Sequence, residues 1–387
     1  MLIRQTLSSV ASLLLSYGLL LVANGLFGTL FGLRAKLEGF PTLLVGLIVS
    51  AYFVGMFAGG IWAVQVVARG GHIRAFAAFA SLMSVTALGI VLVIDPLLWM
   101  VMRFVGGFCM AGMIMVTESW LNERTVNASR GQVLSFYMIT NYLGAGLGQF
   151  ILPLGDPAHF ELFCVASIIY SLALLPVLLT QADAPTPAPR ERPSIPEMWR
   201  ISPLALLGVM AAGAVNAGFN GLGSVFAHDT NLSVFQTSIF MAAGILGGLL
   251  LQWPVGRISD RMDRRSLLVG VALVSAAVSL GVAFTSVIGN IVSMIVLTVV
   301  YGGLSFAIYS ICISHANDFI PAKKLVRVSS GMVMAYGIGA SLGPLLSSPL
   351  MGAFGPEMLF VVSAAVHGSL GLFALYRMRR RRVPNRR

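Results

Sequence analysis

Charge is scarce in this chain and lopsided in sign. Only 10% of the 387 residues are charged, and 25 basic residues outnumber 14 acidic ones, where a soluble domain carries about 25% charge. A water-soluble globular fold is excluded by that shortage together with a hydrophobic fraction of 57% and a mean hydropathy of +0.88. Cysteine is scarcer still. Cys109, Cys164 and Cys312 fall within apolar runs and none belongs to a CxxC pair, so neither a disulfide scaffold nor a metal site is indicated. No H-E-x-x-H motif and no phosphate-loop lysine occurs, which argues against an enzyme and against an ATP-driven pump. No cofactor is expected.

Long apolar runs, by contrast, fill the chain. Twelve can be drawn, at about 7–33, 41–67, 73–94, 97–121, 131–153, 159–180, 201–226, 234–256, 266–286, 288–314, 327–350 and 356–377. Each is near the ~20 residues that a helix needs to cross ~30 Å of hydrocarbon. The first is too long for the core of a signal peptide and lacks a clean A-x-A site, so it reads as a spanning helix.

Basic residues sort into alternate gaps between these runs. One side holds 22 of the 25 Lys and Arg, from Arg4, Arg69 and Arg74 to the tail after Arg377, while Arg34 and Lys36 lie opposite and Arg103 sits inside a run. Cationic loops resist translocation, so both termini are expected in the cytoplasm. The net charge of +11 is then accounted for by loops facing anionic lipid headgroups, and nucleic acid is not expected as a partner.

One stretch cannot be membrane: residues 181–200, QADAPTPAPRERPSIPEMWR, hold five prolines and mixed charge, the composition of a linker. It divides the chain into an N-terminal six-helix bundle at 1–180 and a C-terminal one at 201–377, followed by a basic tail at 378–387. The halves repeat. Gly144-Ala145-Gly146-Leu147-Gly148 parallels Gly339-Ala340-Ser341-Leu342-Gly343 at an offset of 195, and Arg69-Gly70-Gly71-His72 precedes Arg261-Met262-Asp263-Arg264 by 192. An offset near half the chain marks parallel duplicates.

The segment Gly256-Arg257-Ile258-Ser259-Asp260-Arg261-Met262-Asp263-Arg264-Arg265 resembles the signature loop of the major facilitator superfamily, G-x-x-x-D-[RK]-x-G-[RK]-[RK], and sits where that family has it, between the second and third helices of a half. Arg103-Phe104-Val105-Gly106-Gly107, running on to Ala111, is similar to the R-x-x-x-G-x-x-x-A pattern of the family's fourth helix. With Glu118-Ser119-Trp120 and Arg130-Gly131, the pattern resembles YcaD-type bacterial members. The resemblance implies an all-α membrane protein of twelve transmembrane helices in two pseudo-symmetric six-helix bundles, working as a secondary active transporter of the bacterial inner membrane by alternating access. Three departures stand out. Ala68 replaces the aspartate of the N-terminal loop copy, Asp263 stands where glycine is usual, and Gln149 stands where the family's drug antiporters place proline.

Two ionisable residues in the fourth run stand out, Arg103 deep within it and Glu118 near its inner end. Arg103 is about seven residues into its run, ~10 Å deep at 1.5 Å per residue, where an unpaired guanidinium costs at least ~2.5 kcal/mol; it should point into the bundle, to bind an anion, tune proton coupling or pack. Glu118 is either the group that accepts a coupling proton or a partner for a loop arginine. Helices 1, 4, 7 and 10 line the cavity in the family, and by that resemblance Asn24, Asn216, Asn220 and Tyr309 are candidate lining residues. Asn141 and Tyr336 are further polar candidates, and any of these side chains can instead tie neighbouring helices together. His315 reads as a loop residue. The resemblance gives Gly256, Asp260, Arg261 and Arg264 the role of a cytoplasmic gate. A small-molecule substrate, a coupling proton and the lipid bilayer are the expected partners, and the chain is expected to be a monomer. Export is favoured slightly; import of a polar metabolite and a non-transporting receptor or assembly factor are the alternatives.

Overall fold

A computed structural model describes residues 2–124, 130–179, 195–318 and 325–380. The proline-rich stretch 181–194, Lys323, Lys324 and the tail from 381 lie outside the described residues, as do the side chains of Arg4, Arg130 and Arg327. Regular structure among the described residues is helical: α1 (Leu2–Leu37), α2 (Thr42–Gly70), α3 (His72–Leu92), α4 (Pro96–Arg124), α5 (Arg130–Gln149), α6 (Glu161–Leu172), α7 (Leu175–Leu178), α8 (Ile195–Ile201), α9 (Pro203–Asp229), α10 (Val234–Arg261), α11 (Arg264–Val287), α12 (Ile291–Asn317), α13 (Leu325–Phe354) and α14 (Met358–Arg380). A 3-10 turn covers Leu152–Leu154. Every expected span is met by a helix. The sixth is broken into α6 and α7 because Pro176 near the start of α7 has no backbone N–H to continue the ladder.

Ten segments are long and apolar enough to cross a membrane. The fifth and eleventh spans, α5 and α13, are not in that set; both are rich in glycine, with amide side chains in α5 and serines in α13. Such helices suit close helix contact better than contact with lipid. α5 also stops at Gln149, short of the expected 153, and the chain goes on into the 3-10 turn whose Pro153 has no backbone N–H to continue the α-helical ladder.

By its internal contacts the chain divides into two compact units, Met1–Pro189 with Asn220–Ala242 and Arg190–Phe219 with Ala243–Arg387. Within each, backbone meets backbone at glycine. In the first unit a Cβ built on Gly107 of α4 would lie 1.8 Å from the Tyr52 carbonyl oxygen of α2, and one on Gly55 would lie 2.0 Å from that of Phe104. In the second, a Cβ built on Gly302 of α12 would lie 1.9 Å from the Gly244 carbonyl oxygen of α10, and one on Gly247 would lie 2.1 Å from that of Val299. The partners match across the repeat at the same offsets of 192 and 195 seen in the sequence. The glycine runs behave alike: Gly148 of α5 abuts the Val22 carbonyl of α1, as Gly343 of α13 abuts that of Ala214 in α9. Duplication therefore extends from spelling to packing.

The signature segment is mostly not a loop. Gly256 to Arg261 complete the last turns of α10, leaving Met262 and Asp263 as the connection. Asp263 has φ −63 and its side chain caps α11 by accepting from the Arg265 amide, so this turn needs no glycine. The N-terminal copy is built differently, with Gly71 at φ +77, a region that glycine occupies without strain.

Candidate functional site

Two polar clusters are built inside the first unit, both on α4 and fifteen residues apart, about 22 Å at 1.5 Å per residue. Arg103 and Glu118 therefore do not meet, and each must be read with its own neighbours.

Around Glu118 the hydrogen bonds run in one direction. Asn141 of α5 donates through Nδ2 to the Tyr17 hydroxyl of α1 at 2.8 Å, Tyr17 donates to the Tyr137 hydroxyl at 3.2 Å, and Tyr137 donates to Glu118 Oε1 at 3.1 Å. The two phenol rings stack with centroids 5.0 Å apart. Tyr17 and Tyr137 are buried while Glu118 is exposed, so three helices tie a buried phenol pair to one accessible carboxylate. Tyr17, which the sequence did not single out, is the hub.

Arg103 is 5% exposed and caged by rings. Its guanidinium carbon stands 4.3 Å from the Tyr52 ring centroid, 4.8 Å from that of Phe31 and 5.6 Å from that of Phe27. Each such contact is worth about 0.5 to 2 kcal/mol, which offsets much of the cost of burying the charge. No carboxylate pairs with it among the described residues, and its Nε has no hydrogen-bond partner. Asn24 accepts from the Tyr52 hydroxyl at 3.3 Å, on the edge of the same cage. Sequence spacing placed Arg103 in the bundle, but the rings that receive it come from α1 and α2.

Gln149, one of the departures, is a structural amide. It is 1% exposed, accepts from Thr29 at 2.7 Å and donates to the Gly25 carbonyl at 2.9 Å, so it stitches α5 to α1. Lys36 is ion-paired with Asp229 at 3.2 Å.

In the second unit Tyr336 of α13 is hydrogen-bonded to Asn216 of α9 and packs edge-on against Tyr309 of α12 at 5.2 Å. Three candidates thus meet. Asn220, four residues after Asn216, is exposed where Asn216 is buried. The string Gly339-Ala340-Ser341-Leu342-Gly343 has the spelling of a hydrolase nucleophile elbow. It lies inside α13, however, and Ser341 donates to its own helix at the Gly337 carbonyl, 2.9 Å away, so no strand-to-helix turn presents the serine.

Of the gate residues only Arg264 is seen making polar contacts in its unit. Its Nη1 donates to the Ser314 carbonyl and to Asp318 Oδ1, both at 2.5 Å, closing the end of α12 onto the start of α11. Asp260 and Arg261 are exposed, with no ion pair among the described residues. A Cβ on Gly256 would meet nothing within 4 Å. Asp318 was not foreseen, although the repeat offset of 195 pairs it with Glu123. His315 differs from expectation: it lies in the last turn of α12 and is buried, because that helix runs to Asn317. Among the described residues no group of His, Cys, Asp and Glu has the arrangement of a metal site.

The sequence is similar to an "Uncharacterized MFS-type transporter" of Yersinia pestis, 28% identical over 361 residues and 92% of each chain. It is equally similar, 28% identical over 361 residues and 92% of each chain, to the "Uncharacterized MFS-type transporter YcaD" of Escherichia coli. Among solved structures the fold is similar to that of the nucleoside transporter NupG in a mutant form, with a TM-score of 0.80 at 13% identity, covering 95% of this chain and 99% of that one. The sequence model of the Major Facilitator Superfamily matches residues 13–330. With its helical spans, duplicated packing and signature segment, the chain belongs to the major facilitator superfamily of membrane transporters.

Proposed function

We propose that this chain is a secondary active transporter that moves a small organic solute by alternating access between bundles at 1–180 and 201–377, is driven by protons, and favours export. Glu118 is the coupling group. The observation that carries this reading is the one-way run of donors from Asn141 through Tyr17 and Tyr137 to Glu118. A proton arriving on the carboxylate removes the negative charge on which the run of donors ends and adds a donor beside the oxygen that still accepts, so the Tyr137–Glu118 hydrogen bond loses its charge assistance and weakens. Because the run joins α1, α4 and α5, protonation changes how those helices hold one another. Asn24, Asn216, Asn220, Tyr309 and Tyr336 belong to the solute path, and Gly256, Asp260, Arg261 and Arg264 to the cytoplasmic gate, with Arg264 anchored through Asp318. Export rests on the scarcity of charge in the spans, which suits an amphipathic solute. The exposure of both Glu118 and Asn220 supports the second reading, an importer of a polar metabolite.

The test is flux in proteoliposomes under an imposed pH gradient, with solutes first selected by thermal shift of the purified protein. Glu118→Gln should abolish gradient-driven accumulation while leaving counterflow of the same solute, and Tyr137→Phe should slow it about tenfold, roughly 1.4 kcal/mol. Gradient-driven accumulation that survives Glu118→Gln sinks the coupling reading. Binding without flux would make the chain a receptor.

We further propose an inner-membrane orientation with both termini cytoplasmic. Cysteines placed singly at Lys36 and Arg382 report it. Position 36 should react with a membrane-impermeant maleimide added to whole cells and position 382 should not; the opposite pattern inverts the topology.

A further inference from the structure

The rings around Arg103 cover the faces of its guanidinium, but its N–H donors point outward in its plane and need an acceptor that a π face does not provide. The Nε donor is buried with no partner. The Tyr170 hydroxyl, within electrostatic reach of the same guanidinium, is also buried with no partner. Tyr170 is held there by its edge-on contact with Phe27, centroids 6.3 Å apart, and Phe27 is itself a wall of the Arg103 cage. The Asn24 amide oxygen, on the edge of the cage, is engaged by the Tyr52 hydroxyl. Two buried donors and a full positive charge thus share the neighbour Phe27, and neither donor has an acceptor. Buried polar groups are almost always satisfied, and water would satisfy the donors without neutralising the charge. An anion does both.

The arrangement is not a requirement of the fold. At the offset of 195, the place of Arg103 in the second half is taken by Thr298, whose hydroxyl closes on the Met294 carbonyl at 2.7 Å. Arg103 itself keeps 5% of its surface accessible.

We propose that Arg103 and Tyr170 form a binding site for a small monovalent anion, either the carboxylate of a transported solute or a halide, separate from Glu118 and independent of the proton reading. The anion accepts in the plane of the guanidinium from Nε–H and from the Tyr170 hydroxyl, while the rings shield it from water.

Trp99 provides a built-in reporter, since it is fully buried and packs on the cage residue Phe31 at 5.5 Å. The purified full-length protein is titrated with acetate, benzoate or chloride against sulfate at constant ionic strength and pH, reading thermal midpoint and tryptophan emission. A saturable rise in midpoint with an emission change is expected, and whether the carboxylates or chloride produce it names the source. Tyr170→Phe keeps the ring contact with Phe27 and should weaken the apparent affinity about tenfold, and Arg103→Lys should weaken it at least as much. Glu118→Gln should leave it unchanged, so that failure of proton coupling and failure of this site read out separately. The proposal is overturned if none of the three anions stabilises saturably, or if Tyr170→Phe and Arg103→Lys respond as the parent protein does.

Discussion

Arg103→Ala should abolish transport, and Arg103→Lys should leave a folded protein whose transport is at least tenfold slower. Both follow from the cage. Alanine removes the cation from Tyr52, Phe31 and Phe27 at once and leaves a hole among those three rings, a loss of about 2 to 5 kcal/mol by analogy with large-to-small core changes. Lysine keeps the charge but offers a compact ammonium in place of a planar group that can stack on rings and donate in its plane. It must also withdraw along α4 to find water. The measurement is solute flux in proteoliposomes, with thermal unfolding of the same preparations as the control for folding. A fully active Arg103→Ala protein would reduce the residue to packing and remove it from the transport mechanism.

Gly107→Val is the second change expected to have a large effect, and it acts on folding. A Cβ at position 107 would stand 1.8 Å from the Tyr52 carbonyl oxygen, 2.8 Å from its carbon and 2.9 Å from the Met56 nitrogen. All three are backbone atoms and cannot rotate away, so α2 and α4 must separate along their whole contact. That cost is about 3 kcal/mol or more, and separation also displaces the Tyr52 wall of the Arg103 cage. The thermal midpoint and the yield of folded protein should fall sharply. Gly256→Ala is the matched control, since a Cβ there meets nothing, and it should unfold like the parent. Equal midpoints for Gly107→Val and the parent would mean that the helices do not approach as closely as described.

Much of this architecture is legible in the chain because its signals are local. A run of apolar residues reports a span without reference to any other span, since every backbone group in lipid must be bonded within its own helix. The basic gaps, the linker prolines and the half-chain repeat are likewise sums over neighbours in sequence. Even the failure at the sixth span is local, for Pro176 breaks it wherever the helix packs. Asp263 shows the limit of motif spelling: glycine is usual there, yet the aspartate makes an equivalent turn by capping α11.

The polar clusters were legible only in part. Arg103 and Glu118 could be singled out because a charge inside an apolar run is costly wherever it points. Their surroundings could not be read. Tyr17 is one hydroxyl among many until α1 is laid against α5, where Asn141 and Tyr137 meet it 124 and 120 residues away. Asp318 is an ordinary acid at a helix end until Arg264, 54 residues earlier, closes on it. Gln149 looked like a missing proline and is a cross-helix fastening to Thr29 and Gly25.

By itself the sequence determined that this protein is a twelve-span membrane transporter of a known superfamily, because hydropathy, charge bias and a duplicated signature are properties of residues and their near neighbours. Tertiary structure alone decided that Arg103 lies among rings and Glu118 at the end of a run of donors. Those partnerships join side chains from different helices, and their chemistry depends on distances and orientations that exist only once backbones have closed on one another at glycine.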